Sequence, residues 1–215
     1  MKILITAGPT REHLDPVRFL SNRSTGKMGF AVAQAAAERG HAVTLVAGPV
    51  SLATPAGVAR VDVVSALEML AAVEELLPGH DALVMTAAVA DWRPKQMSGT
   101  KLKKAAMNPL LELEATPDIL KALRPLKQGR LFVGFAAETG DPLAEAQRKL
   151  ESKGLDLIVA NDVTQPDAGF AVDTNRVTLL AKSEPPASLP LLSKLDVGRE
   201  IVAWLERRSR SGSPA

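Results

Sequence analysis

The sequence predicts an α/β protein with a doubly wound, mainly parallel sheet, and three observations support this fold class. Short apolar segments that are typical of buried strands alternate with Ala- and Leu-rich helical segments along most of the chain. Glycine and proline residues separate these segments. The 215 residues are 46% apolar and 23% charged, which is the composition of one domain with a substantial core. We therefore expect a single Rossmann-like domain over residues 1–208.

The first strand and the first helix have clear boundaries. Residues 2–6, KILIT, are typical of a buried strand, which Gly8 and Pro9 end. Residues 27–39, KMGFAVAQAAAER, are strong helix formers, and Gly40 stands where a C-terminal cap is expected. Strands over residues 42–47 and 82–86 and a helix over residues 65–77 follow. Because strands and helices alternate in this order, we expect the strands to be parallel.

The second half of the chain begins with a long excursion. Residues 91–115 include a basic and polar stretch between Arg93 and Lys104, and loops of this length in a compact domain are usually functional. The alternation then resumes with helices over residues 117–123 and 142–153, strands over 131–135, 155–160 and 176–181, and an amphipathic helix over 196–207. We expect the last strand to lie in a late β-hairpin and residues 209–215 to form a disordered tail.

The composition excludes several classes of function. A chain without cysteine cannot hold a disulfide, a thiolate metal site or a cysteine nucleophile. The formal net charge is +2, but without Arg207, Arg208 and Arg210 the chain has 23 basic against 24 acidic residues. With 3% aromatic residues for base stacking, we expect no nucleic-acid binding. No apolar run approaches the ~20 residues that span a bilayer, and the apolar start is too short for a signal peptide, so we expect no membrane association and a cytoplasmic protein.

Small and polar residues follow four of the predicted strands. In an open α/β sheet, ligands bind at the carboxyl ends of the strands, near the point where the strand order reverses. Any one of these loops could be a tight connection, but four together with a glycine-rich helix start indicate a ligand site. The four loops begin at Gly8, Ala87, Ala136 and Asn161.

The glycine-rich helix start has the sequence SNRSTGKMGF over residues 21–30. It is not a phosphate loop, because Ser21 replaces the first glycine of that motif and Met28 replaces its hydroxyl residue. Gly26 and Gly29 nevertheless flank the start of a helix, where free backbone N–H groups and the helix dipole favour an anion. The segment therefore predicts a phosphate site with a different geometry.

Other residues near this helix start have simpler interpretations. Ser24 and Thr25 are good N-cap residues, so we expect one of them to cap the helix. Lys27 is expected to be a solvated helix residue rather than a phosphate ligand. Capping and anion binding are compatible at one helix end.

Two lysine pairs suit a ligand with several phosphates. Lys101 and Lys103 share a face if their segment is extended, and Lys149 and Lys153 share a face of a helix. Lysine runs are usually solvated, and Glu145 is placed to pair with Lys149. In a near-neutral protein, two convergent lysine pairs still favour binding of a triphosphate.

Long motifs in this sequence resemble those of the phosphopantothenoylcysteine synthetases. They are ITAGPTRE, DPVR, SN, GKMG, AAVADWRP, KLKK, ATPDIL, VGFAAET and LIVANDV, in the family's order and over nearly the whole chain. Thr25 stands where serine is common in the family and Trp92 where tyrosine is common, and both keep the local chemistry. The resemblance implies a phosphopantothenate-cysteine ligase of coenzyme A biosynthesis, which acts as a homodimer through its late hairpin. In bacteria this ligase is commonly fused behind a phosphopantothenoylcysteine decarboxylase, so the chain is either a monofunctional enzyme or one domain of such a protein.

The resemblance also implies a reaction. The carboxylate of 4′-phosphopantothenate attacks the α-phosphorus of a nucleotide and releases pyrophosphate, and the amine of L-cysteine then displaces the nucleotide monophosphate from the acyl nucleotidylate. Such a site needs cations for the phosphates, Mg²⁺, and hydrogen-bond donors for the developing charge. The bacterial-type motifs PTREHLDPVR and KLKK imply CTP rather than ATP.

Roles for individual residues follow from the resemblance. Asn22 is implied to hold the acyl cytidylate, a role that suits a side chain that donates and accepts without titrating. Lys101 is implied to contact nucleotide phosphate, and Arg18 to be supplied across a dimer interface. Further nucleotide contacts are implied for Gly8, Ser24, Gly26, Gly29, Asp91, Pro117, Asp118, Ile119, Leu120, Phe135, Lys149, Lys153 and Asn161. Arg18, Asn22, Ala87, Ala88 and Asp91 resemble the phosphopantothenate pocket, and no residue is assigned to the metal.

Two other functions share parts of these observations. A nicotinamide-dependent oxidoreductase has the same fold class, but no Gly-x-Gly-x-x-Gly motif follows the first strand. The chain has no tyrosine, so a Tyr-Lys proton relay is impossible. The other alternative is a non-catalytic binding subunit, against which the presence of Asn22 and Lys101 argues.

Overall fold

The computed structural model of the protein describes residues 1–104, 110–138, 142–162, 169, 171–182 and 184–211. Its strands are β1 (Lys2–Ala7), β2 (Glu12–His13), β3 (Phe19–Leu20), β4 (Ala42–Ala47), β5 (Val58–Asp62), β6 (Ala82–Met85), β7 (Trp92–Pro94), β8 (Leu113–Ala115), β9 (Leu131–Glu138), β10 (Leu157–Asp162), β11 (Thr174–Asn175), β12 (Val177–Ala181), β13 (Ala187–Ser188) and β14 (Leu192–Ser193). Its helices are α1 (Lys27–Glu38), α2 (Ala66–Leu76), α3 (Ile119–Leu123), α4 (Pro142–Ser152) and α5 (Lys194–Ser211), and short 3-10 turns cover Leu77–Gly79 and Arg124–Leu126.

The central sheet has eight strands in the order β13-β12-β10-β9-β6-β1-β4-β5. The six strands from β10 to β5 are parallel, and β12 and β13 add an antiparallel edge. The parallel strands have the Rossmann order, which reverses between β1 and β6. This arrangement confirms the predicted fold and the late β-hairpin, formed by β12 and β13. Use of the hairpin in dimerisation stays a prediction.

Side chains that alternate along the strands build a core on each face of the sheet. Ile3 and Ile5 face the layer of α1 and α5, where Phe30 and Trp204 are buried with them. Leu4 faces the opposite layer, which α2, α3 and α4 form. Because both faces are covered, the inner parallel strands are apolar at nearly every position, as the sequence pattern indicated.

The sequence prediction missed one strand of the central sheet and ended the last helix too early. The edge strand β5 was not predicted, because its sequence VARVD is only partly buried and lacks a continuous apolar run. Helix α5 begins at Lys194 and continues to Ser211, so residues 209–211 belong to the helix rather than to a disordered tail. Arg208 and Arg210 lie in its last turn, where the helix dipole favours cations. Residues 212–215 lie outside the described residues.

The long excursion after β6 forms a small antiparallel ladder of its own. Strands β7 and β8 pair with each other, and β2 and β3 form a second two-stranded ladder. The segment between β7 and β8 carries the KLKK motif, and its residues 105–109 lie outside the described residues. Among the described residues, no helix combines the length and the apolarity needed to span a membrane.

Candidate functional site

Two loops lie side by side where the strand order reverses. The backbone N–H of Ala88, after β6, donates to the carbonyl of Gly8, after β1, over 2.9 Å. The hydroxyl of Thr86 donates to the carbonyl of Thr6 over 2.6 Å, and the N–H of Ala87 donates to the Thr6 hydroxyl over 3.2 Å. These bonds join the ends of β1 and β6 into one wall at the carboxyl end of the sheet.

The N-terminus of α1 opens onto this wall without a side-chain cap. Gly26 is the N-cap residue, with φ +79°, and no described side chain caps the helix there. The predicted caps, Ser24 and Thr25, were therefore wrong: the left-handed conformation of Gly26 places the helix start after both of them. The hydroxyl of Ser24 instead lies 3.4 Å from the N–H of Gly26. The first-turn N–H groups of α1 therefore remain able to bind an anion.

Gly29 allows α1 to approach the end of β1. A Cβ atom at this position would lie 2.5 Å from the Cβ of Ala7 and 2.9 Å from the carbonyl oxygen of Thr6, which is closer than atoms can pack. The glycine is therefore required by the contact between helix and strand. The same contact places the N-terminus of α1 over the carboxyl end of the sheet.

A pocket of about 150 Å³, called here the α1 pocket, lies between the start of α1 and the ends of β6, β9 and β10. Seven of the residues predicted from sequence line it, although they come from four separate parts of the chain. They are Ser24, Gly26, Gly29, Ala87, Ala88, Phe135 and Asn161. The structure therefore brings together most of the residues that the strand-end loops and the helix start predicted.

A second pocket of about 310 Å³, called here the α3 pocket, lies on the other side of the same wall. It is lined by Asp91, Pro117, Asp118, Ile119, Leu120 and Lys153, and it shares Ala87, Ala88 and Phe135 with the α1 pocket. Asp118 accepts a hydrogen bond from the N–H of Lys121 over 3.1 Å and forms a salt bridge with Lys153. Two ligand sites with one common wall can hold two molecules that react with each other.

Asn22 lies at the junction of the two loops. Its side-chain amide donates to the carbonyl of Ala88, and its Oδ1 accepts from the N–H of Ser24 over 3.2 Å. Ala88 lines both pockets, and Ser24 lines the α1 pocket. Because a carboxamide has two N–H donors and two acceptor lone pairs, Asn22 keeps capacity to bond a ligand at the same time.

Arg18 and Lys101 line neither the α1 pocket nor the α3 pocket. The carboxylate of the fully buried Asp15 accepts from the guanidinium of Arg18 over 2.5 and 3.0 Å and from the N–H of Leu102 over 3.1 Å. Arg18 also donates to the carbonyl of Leu102 over 2.8 Å. These bonds, with the Arg18 guanidinium first, hold the pKa of Asp15 far below its ordinary value. Lys101 is exposed and precedes Leu102, so Asp15 anchors the start of the lysine-rich segment.

Two other predicted cations form ion pairs on the surface. The ammonium of Lys149 lies 3.6 Å from the carboxylate of Glu145, as their spacing predicted, and Lys149 lines neither pocket. Lys27 donates to the carboxylate of Asp173 over 2.7 Å. This pairing agrees with the expectation that Lys27 is not a phosphate ligand. Lys27 nevertheless lines the α1 pocket, so this ion pair lies at the pocket's edge.

Asn175 and Lys194 also line the α1 pocket, and sequence reasoning missed both. They are 3% and 5% exposed, respectively. Burial, with the nearby Lys27 charge, lowers the pKa of Lys194 to about 8, and Asp173 partly opposes this shift. The only signal in the sequence is a single lysine in the mostly apolar segment LPLLSKLDV.

The α3 pocket is lined by two carboxylates, those of Asp91 and Asp118. Within the described residues, no group of three or more His, Cys, Asp or Glu side chains could hold a metal ion by itself. Magnesium bound with phosphates requires only one or two protein carboxylates. Asp91 and Asp118 line the α3 pocket and fit this requirement.

Comparison with known proteins gives consistent matches along the chain. Residues 1–208 match the family described as DNA/pantothenate metabolism flavoprotein C-terminal domain. The coenzyme A biosynthesis bifunctional protein CoaBC of Bacillus subtilis is 51% identical over 209 residues, which are 97% of this chain and 52% of that protein. The protein of the same name from Escherichia coli K12 is 47% identical over 218 residues, 98% of this chain and 53% of that protein. The crystal structure of a CoaBC C-terminal domain is 43% identical, with a TM-score of 0.84 over 98% of this chain and 96% of that chain. The chain spans about half the length of the curated relatives it matches.

Proposed function

The chain belongs to the family of DNA/pantothenate metabolism flavoprotein C-terminal domains, and from this premise we propose that it is a phosphopantothenate-cysteine ligase of coenzyme A biosynthesis. It joins 4′-phosphopantothenate to L-cysteine with CTP as co-substrate. The observation that carries the proposal is the pair of pockets with a common wall of Ala87, Ala88 and Phe135. A ligase that activates one substrate with another needs two sites whose reactive ends meet.

The first step is activation of the carboxylate. A carboxylate oxygen of 4′-phosphopantothenate attacks the α-phosphorus of CTP, the bond from that phosphorus to the bridging oxygen breaks, and pyrophosphate leaves. Phe135 and the loop from Pro117 to Leu120 in the α3 pocket are proposed to contact the nucleotide. Further nucleotide contacts are proposed for residues of the α1 pocket, namely Ser24, Gly26, Gly29 and Asn161. When bound, Mg²⁺ would neutralise phosphate charge, and Asp91 and Asp118 would hold it.

The second step is attack by L-cysteine on the acyl cytidylate. The amine displaces CMP from the acyl carbon, forms the amide bond and loses a proton. Asn22 is proposed to orient the acyl cytidylate, because its carboxamide is fixed against Ala88 and Ser24 at the junction of the pockets. It does not titrate, so its contribution is geometry and hydrogen bonding rather than proton transfer.

The loop that carries Lys101 is proposed to place the positive charge of this lysine against the phosphates of the nucleotide. The backbone at Leu102 is fixed by the buried carboxylate of Asp15, which holds the start of the loop in one position. The proposed active form is a homodimer in which Arg18 contacts the phosphopantothenate of the partner subunit and the β12–β13 hairpin contributes to the interface. We also propose that the product passes to a phosphopantothenoylcysteine decarboxylase, as a partner or a fused domain, because the curated relatives are bifunctional.

The test is a pyrophosphate-release assay with 4′-phosphopantothenate, L-cysteine, Mg²⁺ and either CTP or ATP. We expect release with CTP that depends on 4′-phosphopantothenate, together with formation of the cysteine amide detected by mass spectrometry. Release of pyrophosphate with ATP but not with CTP would support ligase activity and overturn the choice of nucleotide. Absence of release with both nucleotides would overturn the ligase itself.

A further inference from the structure

The α1 pocket contains two buried polar residues whose presence the proposed reaction has not yet explained. Asn175 and Lys194 are brought together by the ladder of β11 and β14, in which Thr174 pairs with Ser193 and the N–H of Lys194 donates to the carbonyl of Asp173 over 2.9 Å. Both side chains line the pocket beside Gly26 and Asn161. The ladder therefore places a cation and a carboxamide opposite the N-terminus of α1.

Helix packing directs two helix N-termini toward the same pocket. In α5, a Cβ atom at Gly198 would lie 2.9 Å from the carbonyl oxygen of Ala31 in α1, so the two helices cross in direct contact. This crossing lies one turn from Lys194 in α5 and one turn from Lys27 in α1. The positive ends of both helix dipoles therefore lie near the ammonium of Lys194.

Lys194 stands where a cation is unfavourable in the absence of an anion. It is 5% exposed, it is the first residue of α5, and Lys27 is close enough to repel its charge. Its ammonium donates to the carbonyl of Gly169 over 2.8 Å, and Asp173 offsets part of the repulsion. Burial, the dipole and Lys27 all act against the positive charge, and a bound anion would offset their combined cost by attracting the ammonium.

Two carboxamide oxygens in the same pocket point independently to a ligand. Oδ1 of Asn161 and Oδ1 of Asn175 are buried and have no hydrogen-bond partner among the described residues. The two residues are 8% and 3% exposed. Buried oxygens without a donor are rare in folded proteins. A ligand with hydroxyl or amide N–H groups would satisfy both of them.

We propose that Lys194 and Asn175 bind a phosphorylated substrate in the α1 pocket. The ammonium of Lys194 and the N-terminal N–H groups of α1 donate to phosphate oxygens, and Oδ1 of Asn175 accepts from a hydroxyl or amide N–H of the same molecule. This inference rests on the proposed function, in which both CTP and 4′-phosphopantothenate have this chemistry. The shared recognition is of a phosphate with a hydrogen-bond donor nearby.

The test compares Lys194→Met and Asn175→Leu with the matched control Lys127→Met. Lys127 is also partly buried, and its ammonium donates to the carbonyl of Gly154 over 2.6 Å and to Asp156 over 2.9 Å. It lies at the opposite, amino-terminal end of the strands and outside both pockets. Steady-state kinetics are measured for each substrate in turn, and calorimetry measures binding of CTP and of 4′-phosphopantothenate separately.

We expect Lys194→Met to raise KM and the dissociation constant for one phosphorylated substrate roughly ten- to hundredfold, the effect of losing a charged hydrogen bond. Asn175→Leu should weaken binding of the same substrate by a smaller factor. Lys127→Met should change neither KM nor the dissociation constant. Weaker binding of CTP assigns the α1 pocket to a phosphate of the nucleotide. Weaker binding of 4′-phosphopantothenate assigns the pocket to the phosphate of that substrate.

Unchanged constants for both substrates in a folded Lys194→Met protein would overturn the inference. If Lys194→Met does not fold, unchanged constants in Asn175→Leu would do the same, because that substitution removes the unpaired oxygen and, among the bonds of the described residues, only the weak hydrogen bond from the Asn175 amide to the sulfur of Met28. If the wild type binds the substrates but catalyses no ligation, the proposed function fails while the calorimetric comparison still decides the role of Lys194.

Discussion

Replacing Lys194 with methionine should make the free protein more stable at pH 7 although it removes a hydrogen bond. The pKa of Lys194 is lowered from 10.5 to about 8 in the folded protein. At about 1.36 kcal/mol per unit, this shift corresponds to roughly 3 kcal/mol of destabilisation by the buried charge. Loss of the hydrogen bond to Gly169 offsets about 1 kcal/mol. We therefore expect Lys194→Met to raise the free energy of unfolding by about 2 kcal/mol.

The sign and the pH window follow from the lowered pKa. Because the folded protein holds this proton more weakly than the unfolded chain, the unfavourable contribution is fully present below pH 8. It decreases as pH rises from about 8 to 10.5, and the stability of the wild type rises relative to that of Lys194→Met across this window. Groups that titrate equally in both proteins cancel in the difference, so the difference isolates Lys194.

The assay is urea unfolding followed by tryptophan fluorescence at pH 7, 8, 9 and 10, in buffers without phosphate. Trp204 is 2% exposed in the core and reports on unfolding. An anion must be absent because it would remove the destabilisation by binding. Lys127→Met should be less stable than the wild type, since it loses bonds to Gly154 and Asp156 without relieving a buried charge at the pocket. A Lys194→Met protein that is less stable than the wild type at pH 7, by the same amount at every pH, would refute the reasoning.

Three further predictions test the site and its supports. Gly29→Ala should lower stability by about 1–3 kcal/mol, because its Cβ has no room against β1, while Gly79→Ala, with nothing within 4 Å of its added Cβ, should change thermal stability little. Asn22→Asp should slow the second step so that acyl cytidylate accumulates, measured by mass spectrometry after a burst of pyrophosphate; normal turnover would remove Asn22 from the mechanism. Asp15→Asn should raise the KM for CTP by loosening the bonds to Arg18 and the lysine loop. It should also reduce the loss of stability that the wild type shows as pH falls below 3.8, because the pKa of Asp15 is lowered on folding and its share of that loss disappears, and an unchanged acid-unfolding curve would contradict this account.

The parallel strands could be predicted from sequence because they are buried on both faces. A segment such as KILITA has to be apolar at nearly every position when helices cover both sides of the sheet. The strand β5 escaped prediction for the opposite reason: it is an edge strand, and its alternating charges resemble a loop. Burial therefore determined which strands the sequence revealed.

The site was predicted in part because strand ends and helix starts have local signals. Gly26 and Gly29 were recognisable, but the cap assigned to Ser24 or Thr25 was wrong, because side-chain preference does not specify where a left-handed residue starts the helix. Lys194 could not be recognised, since its burial depends on packing against α1 more than 160 residues away in the chain. Tertiary contacts decide which of the 26 basic residues is removed from solvent.

Residues proposed for substrate binding and for catalysis lie at different parts of the wall between the two pockets. Ala88 lines both pockets, and its carbonyl accepts from the amide of Asn22, whereas Lys194 lines only the α1 pocket. A substrate whose phosphate is fixed by Lys194 and the start of α1 has only its other end free to reach this junction. A change at Lys194 should therefore alter affinity, and a change at Asn22 should alter the rate of the second step. The two effects arise at different ends of the bound molecule. The losses of transition-state stabilisation, measured as kcat/KM, should therefore be additive in the double variant Lys194→Met with Asn22→Asp. Strong non-additivity would show that both residues act on the same group of the substrate.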